Sequence, residues 1–198
     1  LHGSSAASDV YKRQFMIFAS PPEQSLEWSD NGLEGCHKFL KRLWTLSFKI
    51  SSLEDDAFGA SEKTLNDECK DLFIKINDDY EKRLNLNTVV SSCMEILNNI
   101  NKRFDDKKVL CDKKDLYTCY DFLLLALSPI APHICENLYK NILNKDIQNA
   151  SWPEESFFHK NETEVKYLVQ VNGKVRANIL IDSDKSEEDV KAVSYTHL

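Results

Sequence analysis

This 198-residue sequence predicts a mainly α fold: an antiparallel helical bundle followed by the start of a small α/β domain. Three observations carry that reading. Between Gly32 and Leu143, apolar residues recur at three- and four-residue spacing, the period of a helix with one buried face. After Thr163 the period changes to two, on both sides of an Asn172-Gly173 pair. No strand–helix–strand alternation, internal repeat or low-complexity tract intervenes.

Ahead of the first helix, SPPEQSLEWSD (Ser20 to Asp30) joins two prolines to acidic residues and a tryptophan. Paired prolines fix φ and exclude helix just before them, so residues 15–31 read as a rigid connector to another body. Gly32 to Ile50 then reads as a helix with Cys36, Phe39, Leu40, Leu43, Trp44 and Phe48 on its stripe. Lys38, Lys41, Arg42 and Lys49 fall off that stripe, which makes the outer face basic. SSLEDDAFGA is a polar loop. Ser61 to Arg83 is a second helix, carrying Leu65, Cys69, Leu72, Phe73, Ile76 and Tyr80, with Ser61 and Thr64 as candidate caps. Thr88 to Lys102 follows, with Val89, Val90, Cys93, Met94, Leu97 and Ile100. Asp115 to Leu127 is a further apolar helix, stopped by SPIAP, and Ala131 to Leu143 is a short one. Residues 32–150 are thus the bundle and 151–163, with Trp152-Pro153, the linker.

Residues 164–192 open the second domain. Val165, Tyr167 and Val169 alternate before the Asn-Gly pair, and Val175, Ala177, Ile179 and Ile181 alternate after it. Asn-Gly between two such runs predicts a type I′ hairpin, which needs positive φ at both central residues. Ser186 to Asp189 has the pattern of a helix start. Residues 1–14 and 193–198 resemble translated adapter read-through and are set aside as foreign tails.

Composition narrows the function. The chain is 42% hydrophobic and 29% charged, the balance of a globular protein, and holds no apolar run of membrane-spanning length. A net charge of −7 opposes nonspecific coating of nucleic acid, yet leaves room for a local basic face. Six cysteines sit within apolar patterns without a CxxC pair, so buried, reduced thiols in a cytoplasmic protein are expected. His133 and Cys135 form a possible ligand pair with no second pair to complete a metal site. Five glycines make neither GxGxxG nor a P-loop, and GxSxG and HExxH are absent. No catalytic residue is assigned.

What remains is cationic. Lys38, Lys41 and Arg42, with Lys49, have the spacing to hold phosphates, with Trp44 or His37 nearby, or they are an ordinary solvated helix face. Asn172, Lys174 and Arg176 either grip a phosphate backbone or keep a strand edge soluble. Arg83 with Asn85 and Asn87 offers donors to a sugar–phosphate backbone, although capping by Asn87 is the plainer explanation.

Several stretches resemble one family. FMIFASPPEQSLEWSDNGLEGCHKFLKRLW (Phe15 to Trp44) is similar to the segment that follows the KMSKS loop of bacterial-type leucyl-tRNA synthetases. RLNLNTVVSSCMEILN (Arg83 to Asn98), LSPIAPHICENLY (Leu127 to Tyr139), Trp152-Pro153 and VQVNGKVRA (Val169 to Ala177) resemble its later landmarks in order. The APHICENLY and Trp-Pro pieces occur in valyl and isoleucyl relatives too, while the opening and the hairpin point to leucine. The resemblance implies a class I anticodon-binding bundle and the beginning of a C-terminal tRNA-binding module. It implies tRNA(Leu) and the catalytic domain of the same chain as partners, a monomeric state, and a cytoplasmic location. A parent enzyme would ligate leucine to tRNA with ATP and Mg. HIGH, KMSKS and the editing domain are absent from this sequence, so neither cofactor nor catalysis is expected of this chain alone. Lys38, Lys41, Arg42, Arg83, Lys174 and Arg176 would position the RNA. The alternatives are a valyl- or isoleucyl-tRNA synthetase fragment, or a non-enzymatic helical adaptor that binds protein through its acidic face.

Overall fold

The computed structural model describes residues 15–19, 27, 29–59, 63–105, 108–159, 164–171 and 174–182. The PPEQS run, the Asn172-Gly173 turn, the Ser186 to Asp189 helix start and both tails lie outside the described residues. Two compact units divide after Phe158.

The first unit is the bundle. Its first long helix, α1, is Asp30–Ser51, and it starts ahead of Gly32 because the Ser29 hydroxyl accepts a hydrogen bond from Gly32 N at 3.1 Å. A helical turn at residues 15–19 precedes it, and there Phe15 packs with Leu33 and Cys36 as a small satellite of the core. Gly32 permits that contact, since a Cβ there would lie 2.4 Å from the Phe15 ring. The expected stripe of α1 needs correction. Leu46, Ser47 and Ile50 are buried, whereas Trp44 and Phe48 are 39% and 58% exposed. Three- and four-residue spacing from Leu40 reaches both sets, and the wheel of 100° per residue puts Trp44 about 20° and Phe48 about 60° beyond the buried arc.

The second helix, α2, is Leu65–Asp78, where Thr64 caps the start by accepting from Asp67 N at 3.0 Å. It does not run to Arg83. A π turn, Asp79–Arg83, takes over, and Leu84 reverses the chain in the left-handed region at φ 52°. The third helix, α3, is Leu86–Lys102, beginning before Thr88. Asn85, without a side-chain cap bond, is the residue at its N-cap, so the capping role expected of Asn87 falls to neither asparagine. The Thr88 hydroxyl shares its single hydrogen between Asn85 O, at 2.8 Å, and Asp79 Oδ2 instead.

A two-residue ribbon, β1 (Phe104–Asp105) with β2 (Lys108–Val109), leads to α4, Lys113–Leu127. Helix α5, Pro132–Leu143, opens on a proline, where a missing N–H costs nothing, and closes on Asn144 at φ 53°. A core of Leu43, Leu46, Leu65, Phe73, Ile96, Leu97, Phe122, Leu123 and their neighbours runs through all five helices. Ser47 and the Tyr120 hydroxyl satisfy each other inside it, 2.5 Å apart. All six cysteines are buried and free, in agreement with their reading as core thiols. Cys135 is buried while His133 is exposed, so the two do not converge.

Residues 151–158 were expected in the linker, but they pack on the bundle. Trp152 Nε1 donates to Asn77 Oδ1 at 2.7 Å, and a short helix, α6 (Glu155–Phe158), lays Phe157 on Phe73 and Phe122. Lys70 Nζ donates to Phe157 O. The separate second unit holds β3 (Glu164–Val171) and β4 (Lys174–Asp182), antiparallel, with Val171 opposite Lys174 as a two-residue connection requires. Val165, Tyr167 and Val169 pair with Ile181, Ile179 and Ala177, the alternation expected of them. A bulge shifts the register, so that Arg176 falls between the pairs Gln170–Val175 and Val169–Ala177.

Candidate nucleic-acid interface

Helical spacing gathers the cations of α1. At 100° per residue, Lys38, Lys41, Arg42 and Lys49 fall within an arc of about 100° opposite the buried stripe. All four are exposed, and with Thr45 and Asn101 of α3 they line one open groove. The neighbouring surface of α3 continues it with Glu95, Asn98, Asn99 and Lys102. Asn98 and Asn101, absent from the sequence-based reading, are three residues apart on the polar side of α3. That spacing is the one signal that could have found them.

Internal contacts engage part of this face. Arg42 Nη2 donates to Asn98 Oδ1, which ties α1 to α3. Thr45 donates its hydroxyl to Lys41 O at 2.9 Å, and Asn101 donates to Leu97 O at 2.9 Å. Lys49 Nζ stands 5.7 Å from the centre of the Phe104 ring. Lys38 pairs with Glu34 at 2.9 Å, and this contact holds the Glu34 carboxyl below its usual range. Both partners are largely exposed, so the pair opens easily in favour of a stronger anion. Trp44 and Phe48, edge to face at 5.6 Å, flank the stripe and offer apolar or stacking surface. His37 is exposed on the same helix.

Of the other predicted cations, Arg83 lies away from this groove. Arg83 closes the π turn, roughly 22 Å along α3 from the level of Asn101. Its side chain is 59% exposed, with Nη1 3.9 Å from the Asp79 carboxylate. Lys174 and Arg176 are on β4 of the second unit, Arg176 at the bulge. Thus Lys38, Lys41 and Arg42 share a groove, and Arg83 is not among the residues that line it.

Arrangement and chemistry define a class of protein: a helical bundle with a one-sided cationic stripe beside donor-bearing amides, suited to a polyanionic backbone. Residues 62–192 match the family model described as the anticodon-binding domain of tRNA ligase, and the chain belongs to that family. Among similar proteins, the Leucine--tRNA ligase of Marinobacter nauticus is 38% identical over 191 residues, covering 92% of this chain and 22% of that protein. The Leucine--tRNA ligase of Shewanella amazonensis is 38% identical over 188 residues, with 91% and 22% covered. The chain therefore spans about a fifth of the length of these curated relatives. A solved ternary complex, Agrobacterium radiobacter K84 AgnB2 LeuRS–tRNA–LeuAMS, has the same fold with a TM-score of 0.68 at 21% identity, covering 92% of this chain and 24% of its own.

Proposed function

We propose that this chain is the tRNA-docking part of a leucyl-tRNA synthetase and that the α1–α3 groove receives the phosphate backbone of tRNA(Leu). The observation that carries the reading is the groove itself, with Lys38, Lys41, Arg42 and Lys49 on one face of α1. In a chain of net charge −7, so one-sided a stripe creates a local positive field in an acidic body. The acidic remainder repels RNA from other faces and thereby orients the encounter. Arg83, Lys174 and Arg176 supply further backbone contacts in this reading.

The parent protein would join leucine to tRNA(Leu) with ATP and Mg, in the cytoplasm and as a monomer, with the chemistry housed in the catalytic domain of the same polypeptide. No three His, Cys, Asp or Glu side chains converge to hold a metal ion among the described residues. Its part is positional: to hold the tRNA limb while the acceptor end reaches the distant active site.

The test is binding of a tRNA(Leu) transcript across a salt series by the chain and its Lys41→Glu/Arg42→Glu variant. Neutralised phosphates release counterions, so the wild-type log–log salt slope is expected to fall in magnitude by about two in the variant. Equal affinity and slope would remove this face from the interface. No binding by either chain, with capture of a protein partner instead, would favour the adaptor reading.

A further inference from the structure

We propose that Asp79 is a positioning residue for Arg83, holding its guanidinium where it meets an RNA phosphate at the α2–α3 junction; the phosphate part rests on the docking function proposed above. Asp79 opens the π turn and is 1% exposed. A carboxylate so buried needs its oxygens satisfied. Oδ2 accepts the Thr88 hydroxyl from the start of α3. Oδ1 has no hydrogen-bond partner among the described residues, and its ion-pair partner is Arg83 Nη1, at 3.9 Å. That separation is too long for a hydrogen bond but within charge-pairing range, so the attraction draws the guanidinium towards Asp79.

A purely structural role does not explain a charge at this place. Asp79 follows the last residue of α2, where the helix dipole disfavours a carboxylate. Thr88 needs only an acceptor, and its single hydroxyl hydrogen already has Asn85 O within 2.8 Å. An asparagine amide at 79 would close the same junction without the desolvated charge. What the charge adds is a hold on a cation. Lys82 is engaged with Asp78 at 2.7 Å, which leaves Arg83 as the cation paired with Asp79.

The geometry suits the purpose. The π turn sets Arg83 four residues after Asp79 and just before the left-handed Leu84, itself 68% exposed. One edge of the guanidinium is drawn towards a buried carboxylate, while the side chain remains 59% exposed. A guanidinium has five donors in a fixed fork, so the free edge can take a phosphate bidentately with its orientation already set.

Two measurements on the 198-residue chain test the proposal. The first, without RNA, is 15N relaxation of the Arg83 Nε–Hε group. Asp79→Asn is expected to lower its order parameter while the Arg103 signal, held by Glu68 at 2.7 Å, is unmoved. An unchanged Arg83 signal overturns the positioning role. The second is affinity for a tRNA(Leu) transcript, corrected for folded fraction by circular dichroism. Asp79→Asn and Arg83→Ala should each weaken binding about threefold to tenfold, and the double variant no more than Arg83→Ala. Additive losses, or wild-type affinity in Asp79→Asn, overturn the phosphate role. Should Asp79→Asn unfold, the exposed Arg83→Lys decides: it keeps the charge but not the fork, and wild-type affinity in that variant refutes the held-fork argument. If the wild-type chain itself fails to bind tRNA, the docking reading falls, and the relaxation result still decides whether Asp79 orders Arg83.

Discussion

Truncating Phe122 to alanine is expected to cost the bundle about 3–4 kcal/mol and to release residues 151–158 from its surface. Phe122 is 1% exposed, with ring centroids of Phe73 at 4.5 Å, Trp152 at 5.2 Å, Phe157 at 5.7 Å and Phe158 at 6.0 Å. Removal of a buried phenyl group costs roughly 3–5 kcal/mol, and the upper end applies where the walls cannot collapse. Here one ring wall, Phe73, belongs to α2, but the others belong to Trp152 and the four-residue α6, which can move inwards. The lower half of the range follows. That is a large share of the ~5–15 kcal/mol by which such a domain is stable. Phe122→Leu keeps most of the volume and loses mainly ring–ring geometry, so it should cost about 1–1.5 kcal/mol. Urea denaturation followed by far-ultraviolet circular dichroism gives both values, and chymotrypsin cleavage after Phe157 and Phe158 reports release. A loss below about 1.5 kcal/mol for Phe122→Ala, with cleavage unchanged, would refute the claim that these residues complete the core.

Two further outcomes follow from the buried thiols and from the start of α4. Burial pushes Cys36 and Cys111 up to about 11 and Cys135 up to about 12, so these thiols stay protonated as well as inaccessible. Ellman's reagent at pH 8 should react slowly with the native chain and count six thiols only in denaturant; fast native reaction at several sites would contradict the packing. Asp115 has its carboxyl raised by burial, then by Asp112 and Asp67, so its ionised form is disfavoured in the fold. A raised folded pKa means that its stabilising contribution is present below the unfolded value near 4 and lost as pH climbs through the folded one. Asp115→Asn should therefore raise the melting temperature at pH 7 relative to wild type and lose that advantage at pH 3; no gain at pH 7 would contradict the assignment.

The bundle was legible because each helix buries one stripe. Val89, Val90, Cys93, Leu97 and Ile100 repeat cleanly enough that α3 reads directly from its residues. Trp44 and Phe48 misled because spacing gives an angle but not the width of the buried arc, which the neighbouring helices decide. The π turn was hidden for a different reason. Asp79 to Arg83 looks like continued helix by composition, and only Thr88, nine residues on, supplies the hydroxyl that holds it. Trp152-Pro153 read as a linker because proline and polar neighbours usually mark one, whereas the aromatic residues around it find partners on α2 and α4 that lie far away in sequence. In the interface, the cations on α1 were evident from their period. Asn98 and Asn101 were not, since a polar residue beside a core stripe carries no mark of which helix will face it.

The central claim, that tRNA docks in the α1–α3 groove, is tested most directly by titrating tRNA(Leu) into the 15N-labelled chain and mapping the perturbed amides. The account predicts the largest changes at Lys38, Lys41, Arg42, Thr45, Lys49, Asn98 and Asn101, diminishing as salt is raised. Saturable binding that leaves these amides unmoved, with changes confined to other faces of the bundle, would contradict it.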